Sequence, residues 1–298
     1  MKTSIAPLVE GDLIQILAPG KTIEPEHVFL AKTTLEQKGF RVEISTHCLG
    51  ESNYFSGSID ERISDFQGAI DNPEVKGILC ARGGYGCVQI VDTLNWDNIK
   101  RHPKWIIGFS DITVLHQRMS RLGLKSIHAT MPLNFSSNTK VAIDSLVEAI
   151  TGVQYEINTA PTPFNKPGQA KGELMGGNLS ILYSLLGTND HADFKGSILF
   201  IEDLAEHIYA IDRMFYALKK TGVLHQINGL IVGGMTGLKD TTVPFGKSYQ
   251  EVILSHFEGR DIPICFDFPA GHIDDNRALV FGADVEFTAT KRDVTLIF

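Results

Sequence analysis

A serine at position 110 stands where a nucleophile could act. It follows the apolar residues 105–109 (WIIGF) and precedes 111–113 (DIT), where an amphipathic segment begins. This order predicts a strand, a sharp turn and a helix start, which would hold Ser110 at the strand tip beside backbone N–H groups that can receive an oxyanion. The same pattern is typical of an ordinary helix N-cap, and taken alone the window favours the N-cap. The rest of the chain must therefore supply the partners that a nucleophile needs.

Candidates for those partners are His272 and Glu202. A serine nucleophile needs a base, and the base needs a carboxylate to orient it. Among ten histidines, His272 stands out because it ends residues 269–272 (PAGH), a loop that proline and glycine can rigidify. Glu202 follows the apolar run 198–201, and an acid at the end of a buried strand is costly unless it is paired or functional. A lone histidine of this kind is more often structural, so only the combination favours catalysis.

The glycine-rich residues 82–86 (RGGYG) form a further candidate element. Backbone N–H groups can approach a ligand closely there, so the loop could cradle a phosphate or supply half of an oxyanion hole. It lacks the Lys-Ser/Thr of a P-loop and the G-x-G-x-x-G spacing of a dinucleotide site. A tight turn that needs positive φ explains the glycines equally well.

Composition excludes several classes of partner. The chain has 298 residues, which suggests two domains, and a net charge of -8 without basic runs, which argues against nucleic acid and anionic membranes. No signal peptide or membrane span is evident, so we expect a cytoplasmic protein. The spacing of its cysteines fits neither a metal site nor a redox motif, and we expect them to be reduced and structural: Cys48, Cys80, Cys87 and Cys265. We therefore expect no metal and no cofactor.

Hydrophobic patterning predicts an α/β fold. In the first half, strands at 13–17, 41–44, 77–80 and 105–107 alternate with helical patterns near 25–39, 59–71 and 87–95. This alternation favours a parallel sheet covered on both faces, with ligands at the carboxyl ends of its strands, where residues 82–86 and Ser110 emerge.

Further helical patterns lie near 111–122 and 140–151. A proline-rich stretch then divides the chain into an N-terminal domain (1–153), a linker (154–171) and a C-terminal domain (172–298). The last of these shows helical patterns near 179–187, 208–221 and 248–257, strands near 198–201, 230–232 and 264–266, and a terminal hairpin at 285–288 and 294–297.

Five motifs, in order, give the chain a family resemblance. Residues 82–86 (RGGYG), 108–113 (GFSDIT), 176–179 (GGNL), 201–203 (IED) and 269–272 (PAGH) resemble the LD-carboxypeptidases, serine peptidases that also include the microcin C self-immunity enzymes. The resemblance runs from the turn at 18–19 to 281–282. It departs from the family pattern at 18–21 (APGK), where serines are usual, and at 128–130 (HAT), where His-Gly-Pro is usual. These departures affect the expected substrate more than the expected reaction.

The resemblance implies roles for five residues. Ser110 is the expected nucleophile, Glu202 and His272 complete the triad, and the N–H groups of Gly84 and Asp111 form the oxyanion hole. It also implies an N-terminal flavodoxin- or amidotransferase-like parallel-sheet domain, a C-terminal mixed or barrel-like α/β domain, a homodimer and no metal.

The function that the resemblance implies is that of a serine carboxypeptidase, which removes the terminal D-alanine of murein tetrapeptides during cell-wall recycling. Two alternatives remain open at this point. One is a microcin-immunity type amidase that cleaves peptidyl or aminoacyl adenylates. The other is a non-catalytic protein that binds a nucleotide or another anion through residues 82–86.

Overall fold

The computed structural model describes residues 5–298, which build two β-sheets flanked by helices. The first part of the chain contains β1 (Leu13–Leu17), α1 (Pro25–Gln37), β2 (Arg41–Ile44), α2 (Ile59–Asp71), β3 (Val75–Cys80), α3 (Cys87–Ile90), α4 (Asp97–Arg101), β4 (Trp105–Gly108), α5 (Thr113–Arg121), β5 (Ser126–His128) and α6 (Lys140–Thr151). The remainder contains β6 (Glu156–Thr159), β7 (Gly168–Asn178), α7 (Leu179–Ser184), β8 (Ile198–Leu204), α8 (Ile208–Lys220), α9 (Val223–Gln226), β9 (Gly229–Thr236), α10 (Tyr249–Ser255), β10 (Ile264–Cys265), β11 (Leu279–Phe281), β12 (Asp284–Ala289) and β13 (Val294–Ile297).

The first sheet has six strands in the order β11-β5-β4-β3-β1-β2. Strands β1 to β5 pair in parallel, as the alternation of aliphatic runs and helices predicts, and β11 adds antiparallel to β5. Strand β4 is buried along its whole length, which explains its unbroken apolar sequence. The carboxyl ends of β3 and β4 therefore lie side by side and present residues 82–86 and Ser110 at one edge of the sheet.

The second sheet has seven strands in the order β10-β9-β8-β7-β12-β13-β6. Its strands β7 to β10 are parallel, whereas β12, β13 and β6 are antiparallel. The predicted α/β class, with a parallel-sheet first part and a mixed second sheet, is confirmed.

The segment that the sequence predicts as a linker, residues 154–171, carries regular structure. It contains β6 and the start of β7, and β6 pairs with β13 at the edge of the second sheet. Only Ile157 of β6 is buried, so the strand lacks the apolar alternation that would have revealed it.

Strand β11 belongs to the first sheet although it comes late in the chain.

Helix positions agree with local sequence signals. Helices α2 and α10 begin with capping boxes in which Ser58 pairs with Glu61 and Ser248 pairs with Glu251. Helix α1 has proline in its first turn, and α6 ends at Gly152 in the left-handed conformation. Helix α3 ends at Ile90, so it is shorter than the helical pattern at 87–95 predicts.

Buried aliphatic and aromatic side chains form two cores. The first core lies between the first sheet and the helices that cover it, and it extends to Ile198 and Phe200 of β8. The second core lies between the second sheet and helices α7, α8 and α10. All four cysteines are buried and free, in agreement with a structural role. Within residues 5–298 there is no helix long and apolar enough to cross a membrane.

Candidate active site

Ser110 lies in a strained turn between β4 and α5. Phe109 is extended, Ser110 has φ of 65°, and a 3₁₀ turn over Ser110–Ile112 leads into α5. A left-handed conformation costs a residue with a side chain about 1–2 kcal/mol, whereas an N-cap residue adopts a β-region conformation. The N-cap alternative for Ser110 is therefore not supported, and the geometry resembles the strained strand-to-helix turn on which α/β-hydrolases carry their nucleophile.

The glycine loop at 82–86 packs directly against Ser110. A Cβ atom added to Gly83 would lie 2.6 Å from Ser110 Cβ, 2.8 Å from Ser110 Oγ and 3.4 Å from Asp111 N. Any side chain at position 83 would therefore press on the hydroxyl. Positive φ occurs at Gly84 (119°) and Gly86 (149°), so the turn explanation also holds for those two positions.

Glu202 and His272 form a buried hydrogen-bonded pair. Glu202 Oε2 accepts from His272 Nδ1 at 2.5 Å and from the His272 backbone N–H at 3.3 Å. The Glu202 side chain is 0% exposed and that of His272 is 17% exposed. Gly271 permits this contact, because a Cβ atom there would lie 2.7 Å from Glu202 Cβ. With Nδ1 bound to the carboxylate, Nε2 is the His272 nitrogen that remains for proton transfer.

The surroundings of His272 determine its basicity. Burial acts to lower its pKa, but the charge and hydrogen bond of Glu202, together with the charge of Asp203, outweigh burial and raise the pKa above the usual 6.5. Burial also raises the pKa of Asp203, to about 6, reinforced by the neighbouring Glu202 charge. The Phe109 ring packs edge-on to the imidazole at a centroid distance of 4.8 Å.

Contacts between the sheets bring the two halves of the site together. The Asn178 backbone N–H donates to Thr113 Oγ1 at 2.9 Å, and Gln117 Nε2 donates to the Gly176 carbonyl at 3.1 Å. Thr113 follows the Ser110 turn, and Asn178 lies opposite Glu202 in the parallel register of β7 and β8. The motif at 176–179 thus joins the helix after Ser110 to the strand that carries Glu202.

Ser110 and His272 open into one cavity of about 270 Å³. Its lining residues are Arg82, Gly83, Gly84, Phe109, Ser110, Met131, Leu133, Asn134, Leu204 and His272. Among residues 5–298, the Ser110 hydroxyl has no hydrogen-bond partner, and catalytic hydrogen bonds often tighten only when substrate binds. A cavity of about 360 Å³ at the opposite end of the first sheet has no serine or cysteine among its described lining residues.

Models of known families match most of the chain. The LD-carboxypeptidase N-terminal domain matches residues 14–129, and the LD-carboxypeptidase C-terminal domain matches residues 171–287. The chain belongs to the LD-carboxypeptidase family. This assignment agrees with the family that the five sequence motifs resemble.

Individual relatives of this LD-carboxypeptidase family member cover nearly its full length. A probable murein peptide carboxypeptidase of Bacillus subtilis is 31% identical, with 97% of this chain and 92% of that protein covered. The microcin C7 self-immunity protein of Escherichia coli is 26% identical, with 98% and 94% covered. The crystal structure of muramoyltetrapeptide carboxypeptidase from Oxalobacter formigenes superposes with a TM-score of 0.87 at 26% identity, covering 96% of this chain and 98% of that one.

Three side chains that the sequence analysis did not single out support the site of this LD-carboxypeptidase family member. Buried Asn276 accepts from the Gly271 N–H at 2.7 Å and so fixes the loop before His272. Buried Arg62 donates to the carbonyls of Pro19 (3.0 Å) and Gly86 (3.3 Å). The Asp111 carboxylate accepts from the Cys87 N–H at 2.9 Å, and burial raises its pKa.

A sequence signal existed for only one of these three. Arg62 lies four and eight residues before Phe66 and Ile70 of α2, which places it on the apolar face of the helix. An arginine on the apolar face of a helix indicates that its guanidinium is buried and has partners within the fold. Nothing in the sequence around Asn276 or the Asp111 side chain distinguishes them from ordinary polar loop residues.

The described residues offer no metal centre. No cluster of three or more His, Cys, Asp or Glu side chains suited to a metal ion occurs within residues 5–298. Two other histidines, His116 and His128, are buried. Burial lowers the pKa of His116 to about 4 and that of His128 well below its usual value. Both are neutral at pH 7 and belong to the core.

Proposed function

We propose that this chain is a serine LD-carboxypeptidase that releases the terminal D-alanine of murein tetrapeptides. The observation that carries the proposal is the convergence, in one cavity, of a left-handed serine and a histidine bound to a buried glutamate. The substrate class follows the B. subtilis and O. formigenes relatives, whose names specify murein peptide and muramoyltetrapeptide.

The proposed reaction proceeds by acyl transfer to Ser110. The Ser110 oxygen attacks the carbonyl carbon of the L-configured centre while its proton moves to Nε2 of His272. The Glu202 carboxylate keeps Nδ1 protonated and stabilises the imidazolium. Collapse of the tetrahedral intermediate transfers the Nε2 proton to the leaving amine of D-alanine. Water, activated by the same nitrogen, then hydrolyses the acyl-enzyme.

The oxyanion hole is assigned to backbone N–H groups of Gly84 and Asp111. Asp111 follows the serine directly in the chain. Gly84 lines the same cavity as Ser110 and is the neighbour of Gly83, which packs against Ser110. Two donors aimed at the developing negative charge are typical of acyl-transfer sites, and removal of one typically costs about 10²–10³ in rate.

A direct assay tests the proposed function. The protein is incubated with synthetic L-Ala-D-Glu-(meso-diaminopimelate)-D-Ala, and free D-alanine is measured by mass spectrometry. We expect equimolar D-alanine and tripeptide from the wild type and none from Ser110→Ala. Absence of D-alanine with the wild type would overturn the proposal.

The same preparation separates the two alternatives. Cleavage of an aminoacyl sulfamoyl adenosine without release of D-alanine would indicate a microcin-immunity type amidase. Nucleotide or phosphate binding that persists in Ser110→Ala, without any hydrolysis, would indicate a non-catalytic anion-binding protein. The first alternative calls for an aromatic side chain that stacks on the nucleobase, whereas the Phe109 ring in the cavity packs edge-on against His272.

Assembly and location complete the proposal. We propose a homodimer that acts in the cytoplasm, as the family resemblance implies. Light scattering coupled to size-exclusion chromatography should give twice the chain mass of 32.8 kDa, and a monomeric mass would contradict the proposed dimer.

A further inference from the structure

Arg82 and His272 are the two basic side chains among the described residues that line the catalytic cavity. The other described residues around this cavity are glycine, serine, asparagine and apolar residues, and no aspartate or glutamate is among them. The net charge of the chain is -8, so a cavity whose described lining residues include an arginine and no carboxylate stands out from the rest of the molecule. Such a cavity favours an anionic group of the substrate.

The Arg82 guanidinium is held in place but is not neutralised. Nη1 donates to the Thr22 carbonyl at 3.0 Å and Nε donates to the Gly83 carbonyl at 3.3 Å. Within residues 5–298, neither a partner for Nη2 nor a carboxylate within ion-pair distance of Arg82 is present. Two backbone bonds thus orient the planar group, and its remaining donors are available to a ligand.

Lys21 adds to the positive charge on this side of the glycine loop. A Cβ atom added to Gly84 would lie 3.0 Å from Lys21 Cβ, and Lys21 Nζ lies 5.0 Å from the centre of the Tyr54 ring. No carboxylate among the described residues forms an ion pair with Lys21 either. Two cations without acidic partners therefore flank the loop beside the nucleophile.

The position of Arg82 fits the chemistry of a carboxypeptidase substrate. Gly83, the next residue, touches Ser110. In a peptide cleaved before its last residue, the terminal carboxylate carbon lies only about 3–4 Å from the carbonyl carbon under attack, because three covalent bonds separate them. A cation that selects the free C-terminus must therefore lie in the same cavity as the serine.

We propose that Arg82 binds the terminal carboxylate of the substrate and so makes the enzyme specific for a free C-terminus. This inference rests on the proposed function. A guanidinium suits the role because its fork of donors matches the two oxygens of a carboxylate. Arg82 is thus a specificity-determining residue, and it takes no part in proton transfer.

The test compares two substrates that differ only at the C-terminus. Rates are measured for the tetrapeptide acid and for the same peptide ending in D-alaninamide. For the wild type we expect kcat/KM to favour the acid by about 10- to 100-fold, the range for a hydrogen bond to a charged group. In Arg82→Gln the preference should fall to within about threefold of unity, mainly through a higher KM for the acid. Arg82→Lys should retain part of the preference.

A matched control removes the same charge elsewhere. Arg101 on α4 is exposed and bonded to Asn98, and it lines the cavity at the opposite end of the sheet. Arg101→Gln should leave the preference for the acid unchanged, which separates local recognition from the net charge of the molecule.

The outcomes distinguish this inference from the proposed function. If the wild type releases no D-alanine, the proposed function fails and Arg82 loses its role with it. If the wild type is active but shows no preference for the acid, the inference alone is overturned. It is also overturned if Arg82→Gln slows both substrates equally, since the arginine would then only support the glycine loop.

Discussion

Ser110 carries backbone strain that an ordinary helix start does not need. A residue with φ of 65° persists only where the surrounding structure holds it, and such residues concentrate at functional sites. Here β4, the glycine loop and the 3₁₀ turn hold it. The strain should therefore be measurable as stability that the protein gives up for activity.

Replacing Ser110 by two different small residues tests this relation. Both Ser110→Ala and Ser110→Gly should lose turnover, on the order of 10⁶-fold in kcat for a triad serine. Ser110→Gly should be more stable than Ser110→Ala by about 1 kcal/mol, because glycine adopts positive φ without a Cβ penalty. Urea denaturation gives the free energies of unfolding. Ser184→Ala, at an exposed helical serine, is the control and should retain full activity; more than a tenth of wild-type activity in Ser110→Ala would reject Ser110 as the nucleophile.

The Glu202–His272 hydrogen bond predicts unequal effects of two neighbouring acids. Glu202→Gln keeps the shape but favours the wrong histidine tautomer, and we expect kcat to fall by about 10⁴. Asp203 instead accepts from Asn178 Nδ2 and the Ser180 N–H, so Asp203→Asn should affect stability more than turnover. Steady-state kinetics and thermal unfolding of both variants check this. A loss below tenfold in Glu202→Gln, with a severe loss in Asp203→Asn, would assign the role to Asp203.

The raised pKa of His272 gives opposite pH trends for activity and stability. The base acts when neutral, so kcat/KM should rise with pH through a pKa above 6.5. Protonated His272 stabilises the fold; this contribution is complete below the unfolded pKa of about 6.5 and is lost as pH rises through the folded pKa. In Glu202→Gln the charge of Glu202 is lost, while burial and the smaller effect of the Asp203 charge remain, so the kinetic pKa should move down. The measurement is kcat/KM from about pH 5 to 9 for the wild type and for Glu202→Gln. If the two proteins gave the same kinetic pKa, Glu202 would not set the pKa of His272.

At the scale of elements, the glycine loop and the serine turn act as one unit. A Cβ atom on Gly83 would approach Ser110 Cβ to 2.6 Å, a distance that forces one of the two segments to move. Misplacement by about 1 Å can cost about 10² in rate.

A pair of glycine substitutions tests this contact. Gly83→Ala should lower kcat by about 100-fold. Gly68→Ala, in the exposed middle of α2 with nothing within 4 Å of the new methyl group, should keep full activity and add about 0.5–1 kcal/mol of stability. Full activity in Gly83→Ala would mean that the loop does not position the hydroxyl.

The elements that the sequence predicts correctly are those with a strong apolar pattern. Strands β1, β3 and β4 are aliphatic runs, and α1, α2 and α6 have periodic faces with clear start signals. Strand β7 has no such pattern, because its sequence (GQAKGELMGGN) contains four glycines and only its last five residues are continuously buried. Strands β5 and β11 have three residues each, too few for any periodicity.

The candidate site was predictable to a similar extent. Ser110 follows β4, Glu202 comes after four apolar residues of β8, and His272 lies in the loop after β10, so their types and places are visible in the sequence. The structure places Glu202 against His272 and opens His272 and Ser110 into one cavity. The backbone angle of Ser110 and the support from Arg62 and Asn276 depend on segments far apart in the chain. Pairwise contacts of this kind leave no local pattern.

At the scale of the molecule, the packing of the two sheets joins the two halves of the candidate site. Thr113 is fully buried, and its Oγ1 accepts the Asn178 N–H across the contact between the sheets. Thr113→Val preserves the shape but leaves that N–H unsatisfied, which should cost about 1–3 kcal/mol. Because Asn178 lies opposite Glu202, we expect kcat to fall as well. The control Thr242→Val, at an exposed threonine, should change neither the free energy of unfolding nor kcat. If Thr113→Val also kept the wild-type free energy of unfolding and kcat, the hydrogen bond to Asn178 would not hold the site together.

The late position of β11 has a consequence for synthesis of the protein. Strand β5 at Ser126–His128 receives its outer partner only when Leu279–Phe281 has been made. At typical ribosomal speeds of about 5–20 residues per second, the 153 residues from 129 to 281 take about 8–30 s. During that time the nascent chain exposes an unpaired sheet edge, which is a template for wrong pairing with another chain. Truncation before residue 279 should leave this edge permanently open, so fragments of the enzyme should be prone to aggregation even where their own core is complete.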